Sequence, residues 1–106
     1  MPKYLYQASY TVQGTKGLLQ EGASRRRTEI QKMLKAVGGK VEALYYAFGD
    51  SDVFLIVDLP DHASAAAVSL AVNASGAVGL KTTVLLTSEE MDEAAKKTVN
   101  YRPPGQ

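Results

Sequence analysis

The stretch from Val53 to Leu59 constrains the fold more than any other, because it is an almost continuous apolar run. A run of this length is typical of a strand with both faces buried, as at the centre of a sheet. It follows a second apolar stretch, Val41–Phe48, across the residues Gly49-Asp50-Ser51-Asp52, which favour a turn. We therefore predict a β-hairpin in the middle of the chain.

The segment before this hairpin changes from a strand period to a helix period. Tyr4–Val12 alternates aromatic and β-branched residues with others, which predicts a strand. Leu18–Val37 repeats apolar residues at mostly three- and four-residue steps, which predicts an amphipathic helix. We expect a short turn over Thr15–Gln20, a firm helix from an N-cap at Ser24, and a stop at Gly38-Gly39.

The second half of the chain repeats this order. Asp61 is the predicted N-cap of a helix that runs to about Ser75, and Lys81–Thr87 is a predicted fourth strand. Ser88 is the predicted cap of a short acidic helix that reaches about Thr98. The order β-α-β-β-α-β predicts an α+β, ferredoxin-like fold with a four-stranded antiparallel sheet and a short C-terminal helix. We expect a single domain over residues 1–99 and a flexible tail over residues 100–106.

The predicted sheet has two apolar faces. In the third strand Val53, Leu55 and Val57 point one way, whereas Phe54 and Ile56 point the other. Both main helices lie on one face, so the other face would expose an apolar patch larger than a soluble monomer usually tolerates. We expect a homodimer or higher oligomer that packs sheet on sheet. The alternative is that the terminal helix or the tail folds over the open face.

Composition excludes several classes of partner and site. There are 12 basic and 11 acidic residues, so the net charge of +1 does not favour nucleic acid or a membrane surface. One histidine and no cysteine argue against a metal or iron–sulfur site. We expect no cofactor. The N-terminus lacks the apolar run of a signal peptide, and the alanine-rich stretch Ala63–Leu80 contains too many polar residues for a bilayer span. The expected location is the cytoplasm.

Several motifs together resemble the GYD-domain family, a group of small proteins of unknown function, from about Tyr4 to Glu90. They are Tyr10-Thr11 with Gly14-Thr15-Lys16-Gly17-Leu18; Val37-Gly38-Gly39-Lys40-Val41; Tyr45-Tyr46-Ala47-Phe48-Gly49-Asp50-Ser51-Asp52-Val53; and Val57 through Pro60-Asp61. The resemblance implies a dimeric α/β barrel and implies no catalytic residues. The chain departs from the family at Ser51, where the family has tyrosine, so a function that depends on that tyrosine is not implied here.

The tyrosines are the richest set of candidate ligand-binding residues. An apolar pocket lined by tyrosines holds small planar ligands well. Lys16, in the segment Gly14–Gly17, adds a charge beside backbone N–H groups that would suit an anion. The alternative for the tyrosines is that they form the core and a dimer interface. The alternative for Gly14–Gly17 is a plain turn between a strand and a helix. The candidate ligand-binding residues are Tyr6, Tyr10, Lys16, Tyr45 and Tyr46.

Asp52 and His62 are the candidate catalytic residues. Asp52 pairs with Asp50 in the hairpin turn, and paired carboxylates can share a proton or bind a cation. His62 is the one histidine, and its side chain can act as a general base. The alternatives are turn formation for the aspartates and a solvated helix start for His62. The run Arg25-Arg26-Arg27 spreads around a helix and is interpreted as a solvated face.

No motif identifies a reaction, so three functions stay open. The leading hypothesis is a homo-oligomeric domain that binds a small apolar or aromatic ligand. The second hypothesis is a cofactor-independent monooxygenase or isomerase. It rests only on an analogy of fold with other dimeric α/β barrels. The third is a purely structural assembly module.

Overall fold

The chain forms four strands and four helices in the predicted α+β, ferredoxin-like order. The computed structural model describes all 106 residues. The strands form one antiparallel sheet in the order β2-β3-β1-β4, so β2 and β4 are its edges. The elements are β1 Lys3–Tyr10, α1 Val12–Glu21, α2 Ala23–Ala36, β2 Lys40–Tyr46, β3 Val53–Asp58, α3 His62–Ala74, β4 Val78–Leu85 and α4 Ser88–Ala95.

The core lies between the sheet and the helices. In β1, Tyr4, Tyr6 and Ala8 are buried while the residues between them are only partly buried, as strict alternation requires. These side chains meet Leu34 of α2 and Val68 of α3 in a cluster of ten buried residues. Because α2 packs on β2 and α3 packs on β4, the two helices stand over opposite edges of the sheet.

The predicted turn over Thr15–Gln20 is wrong, because these residues belong to the helix α1. Thr11 caps this helix by accepting a hydrogen bond from the Gly14 amide at 3.2 Å. Gly22, at φ +91°, separates α1 from α2, so Gly22 rather than Ser24 precedes the second helix. A residue with a side chain rarely adopts this φ, which explains why the break falls at a glycine.

A β-bulge in β2 changes which of its side chains face the helices. The register shifts between Val41 and Ala43, so Val41 lies opposite Val57 and Leu44 lies opposite Leu55. Val41 and Leu44 therefore both pack against the core, although simple alternation would place them on opposite faces.

The C-terminal segment stands away from the rest of the chain. β4 begins at Val78, earlier than predicted, and α4 is capped by Thr87 rather than Ser88, in a capping box with Glu90. No residue of α4 is buried, so the helix does not cover the open face of the sheet. The radius of gyration is 16.9 Å, against about 13 Å for a compact chain of about this length. Each of the four helices is too short or too polar to cross a membrane.

Candidate functional site

A cavity of about 660 Å³ opens between the sheet and the two sides of the helical layer. Its floor is the helix-facing side of β1, β3 and β4, including Tyr6 and Leu55. One wall is formed by α1 and α2 and the opposite wall by α3, which contributes Val68 and Val72. Fifteen of its 23 lining residues are hydrophobic. Its volume and apolar lining are those of a small-molecule site.

The charged side chains of the lining, together with Tyr10, whose hydroxyl responds to the charges of Glu21 and Arg26, form the part of the cavity that we call the mouth. The mouth comprises Tyr10, Lys16, Glu21 and Arg26. A guanidinium nitrogen of Arg26 (Nη1) lies 3.5 Å from Oε2 of Glu21, a distance that makes an ion pair but a poor hydrogen bond. Arg25 approaches the same carboxylate at 3.9 Å. Two arginines therefore share one acidic partner, and the charged groups lining the mouth are two cations and one carboxylate.

The bend between α1 and α2 brings the mouth together. Glu21 ends α1 and Arg26 lies in the first turns of α2, on either side of Gly22. The Tyr46 hydroxyl donates a hydrogen bond to the Ala23 carbonyl at 3.0 Å, which ties the start of α2 to the edge strand β2. The turn at Gly22 and this tether together fix the start of α2, which carries Arg26 into the lining of the cavity.

Two tyrosines in the cavity stay protonated over the physiological pH range. Burial raises the pKa of Tyr6 to about 12. Burial, with a smaller contribution from Tyr46, raises the pKa of Tyr10 to about 12, although Arg26 opposes the shift. The Tyr6 hydroxyl donates to the Ala65 carbonyl at 2.8 Å. The Tyr10 hydroxyl forms no hydrogen bond within the chain, so it remains a free donor.

These raised pKa values predict a loss of stability at alkaline pH. Unfolded tyrosines lose their protons near pH ~10, whereas Tyr6 and Tyr10 hold theirs in the folded state. The free energy of unfolding should be unaffected by these groups below pH ~10 and should fall as pH rises towards ~12. Tyr10→Phe should make this fall shallower. Urea unfolding at a series of alkaline pH values measures it, and an equally steep fall in both proteins would contradict the assignment.

Three of the five predicted ligand-binding residues line the cavity: Tyr6, Tyr10 and Lys16. Tyr46 does not line the cavity. It contributes indirectly, because its hydrogen bond to Ala23 holds the start of α2 against β2. Tyr45 points from the opposite face of the sheet and is 73% exposed. The segment Gly14–Gly17, considered for an anion beside Lys16, lies in the early turns of α1 rather than in a loop, and the Gly14 amide donates to the Thr11 hydroxyl at 3.2 Å.

A family model for the GYD domain matches residues 4–95 of this sequence. The chain belongs to the GYD-domain family. No curated protein and no solved structure matches it.

The residues that correspond to the family's name-giving motif, Gly49, Ser51 and Asp52, lie in the β2–β3 turn, outside the cavity lining. Asp52 accepts a hydrogen bond from the Tyr10 amide at 2.8 Å, and the Asp52 amide donates to the Ala8 carbonyl at 2.8 Å. The motif therefore attaches the hairpin turn to the end of β1 and positions Tyr10. Ser51, the residue that departs from the family, does not line the cavity either.

His62, the second candidate catalytic residue, also lies outside the cavity of this GYD domain. Its Nδ1 atom lies 2.6 Å from the hydroxyl of the buried Tyr4, and the two rings meet edge to face. Asp61 beside it caps α3 by accepting a hydrogen bond from the Ser64 amide at 2.8 Å, as predicted. His62 thus fastens the start of α3 to β1.

Arg26 and Glu21 are mouth residues that the sequence pattern does not indicate. The arginine run predicts a solvated face, yet Arg26 lies at helical spacing from Ile30, Met33 and Val37, which all pack against the core. That spacing was the available signal. No three histidine or acidic side chains come together in the chain as a metal site would require.

Proposed function

We propose that this GYD domain binds a small apolar or aromatic molecule in the cavity between its sheet and helices. The supporting observation is the cavity itself, which combines about 660 Å³ of mostly hydrophobic lining with a polar mouth. A volume of this size holds a small organic ligand. The hydroxyl of Tyr10, which has no partner in the chain, would orient such a ligand by donating a hydrogen bond to it.

Binding is the function that the site favours over catalysis. Asp52 and His62, the two candidate proton-transfer residues, are both engaged in contacts that hold secondary structure, and neither lines the cavity. The tyrosines that do line it carry raised pKa values, so they act as hydrogen-bond donors rather than bases near neutral pH.

A cavity-filling substitution tests this proposal. Ala71 lines the cavity from α3, so the indole of Ala71→Trp would occupy space that a ligand needs. Ala66 is exposed on the same helix but does not line the cavity, and Ala66→Trp is the matched control. Naphthoate, a fluorescent aromatic acid, is the probe. Ala71→Trp should weaken its binding about tenfold or more, the loss that follows when about 1.4 kcal/mol of contact is removed, while Ala66→Trp should not.

Equal binding by both variants and the unmodified chain would contradict a site in the cavity. Circular dichroism of each variant shows that the fold is retained, so a loss of binding is attributable to the filled space. No saturable binding of naphthoate or its neutral analogue to the unmodified chain would overturn the proposed function.

We further propose that the protein's partner is a second copy of itself, packed through the open face of the sheet. This face is defined by the side chains that point away from the helices. Its centre is mostly apolar, formed by Leu5, Phe54 and Ile56 in neighbouring strands, with Tyr45 at the β2 edge and one polar residue, Gln7, opposite Phe54. Polar residues of β4, Lys81 and Thr83, border it. Sheet-on-sheet packing would bury the apolar centre and leave the polar border exposed to solvent.

A further inference from the structure

The charges at the mouth point to the chemical class of the ligand. Lys16 and Arg26 line the mouth as cations, and Glu21 is the one carboxylate among the lining residues. Glu21 already faces Arg25 and Arg26, at 3.9 and 3.5 Å. A cationic ligand would have to displace those arginines, whereas an anionic ligand would complete the pairing of a guanidinium that lacks a close partner.

Two hydrogen-bond donors are free at this point of the cavity. The Arg26 guanidinium carries five N–H donors, and its one acidic contact is the 3.5 Å approach to Glu21. The Tyr10 hydroxyl has no partner in the chain, and it lines the same cavity as Arg26, whose charge acts on it. A planar guanidinium beside a phenolic donor suits a carboxylate, whose two oxygens can accept one hydrogen bond from each group.

The rest of the cavity lining indicates the chemistry of the ligand body that carries the carboxylate. Beyond the mouth the walls are side chains such as Ile30, Met33 and Val72, and the floor includes Leu55. These surfaces offer no charged group, so the body of the ligand must be apolar. Methionine adapts to irregular apolar shapes and makes favourable contacts with aromatic rings.

We infer that the cavity takes an aromatic or branched aliphatic carboxylic acid, with its carboxylate between the Tyr10 hydroxyl and the Arg26 guanidinium and its apolar body towards the sheet. This inference rests on the proposed binding function and adds the class of ligand to it. Arg26 is then the residue that determines specificity for an acid over a neutral compound of the same shape.

A comparison of naphthoate with naphthamide tests the inference on the unmodified protein. The two compounds share one apolar body and differ in charge. Calorimetry at fixed ionic strength should show naphthoate binding about tenfold or more tightly, because hydrogen bonds to a charged group exceed those to a neutral one. Equal affinity for the two compounds would overturn the inference and leave the proposed binding function in place. Binding of neither compound would overturn the binding function itself.

Substitutions then locate the selectivity. Arg26→Gln should weaken naphthoate binding about tenfold and leave naphthamide binding within about twofold, so the preference for the acid disappears. Tyr10→Phe should weaken naphthoate binding less, because one neutral donor is lost. Arg27→Gln is the matched control, since Arg27 carries the same charge one residue away and does not line the cavity. Equal losses in the Arg26 and Arg27 variants would overturn the inference, because they would indicate a general effect of charge.

Discussion

Gly14→Ala should lower the free energy of unfolding by about 1–3 kcal/mol, the range for overpacking a filled interior. Gly14 is buried in the first turn of α1, and a Cβ atom there would lie 2.0 Å from the backbone oxygen of Ala77. That oxygen cannot yield easily, because it accepts hydrogen bonds from the Thr11 amide at 3.0 Å and the Thr11 hydroxyl at 3.2 Å. The new methyl group must push α1 away from the start of β4.

Gly17→Ala is the control for this substitution. Gly17 lies in the same helix, and no atom would stand within 4 Å of its added Cβ. Alanine favours a helix over glycine by about 1 kcal/mol, so this variant should be as stable as the unmodified chain or more so. Urea denaturation of the three proteins gives the comparison. Equal stability of the Gly14 and Gly17 variants would mean that the close approach of α1 to β4 is not a constraint.

Ile56→Lys should dissociate the proposed dimer. Ile56 lies at the centre of the open face, between Leu5 on β1 and Ala43 on β2. A face-to-face dimer would bury a lysine from each copy without partners, and an unpaired buried charge costs about 3–5 kcal/mol. The dimer dissociation constant should rise by about a hundredfold or more. Sedimentation velocity over a range of protein concentrations measures this change.

Leu70→Lys controls for the loss of an exposed apolar residue. Leu70 is on α3, on the helical side of the molecule, and is 72% exposed. This variant should keep the oligomeric state of the unmodified chain. If the unmodified chain sediments as a monomer at every concentration, or if Leu70→Lys dissociates it and Ile56→Lys does not, the open face is not the interface.

The order of the elements was predictable because local signals agreed with the tertiary structure. Alternation in β1, the continuous apolar run of β3 and the Asp61 cap of α3 all appear where the pattern indicated. Gly38-Gly39 ends α2 as predicted, with the Gly39 amide donating to the Leu34 carbonyl at 2.8 Å. In each case the local sequence pattern suffices to define the local conformation, and no contact with residues distant in sequence overrides it.

The errors occurred where long-range contacts determine the local structure. The glycines between β1 and α2 favour a turn where α1 forms. Gly14 is nevertheless a helix residue, and it must lack a side chain because the helix approaches the backbone of Ala77, which is far away in sequence. The bulge in β2 cannot be deduced from alternation, since one inserted residue reverses the phase of all that follow. Such contacts exist only once the sheet has formed, so a local sequence pattern cannot predict them.

The candidate site was predictable in part for the same reason. The tyrosines are the richest set of candidate ligand-binding residues in the sequence, and two of them, Tyr6 and Tyr10, line the cavity together. Tyr45 was placed with them, but it belongs to the opposite face of the sheet. A run of three arginines indicates a solvated face, whereas Arg26, four residues after the break at Gly22, lines the cavity.

The most direct test of a binding site in the cavity is an amide NMR titration of the isotope-labelled chain with naphthoate. We predict saturable shifts confined to residues around the cavity, such as Tyr10, Lys16, Arg26 and Val72, and no comparable shifts at Tyr45 on the open face. Saturable shifts centred on the open face, or no saturable shifts up to the solubility of the probe, would contradict the account.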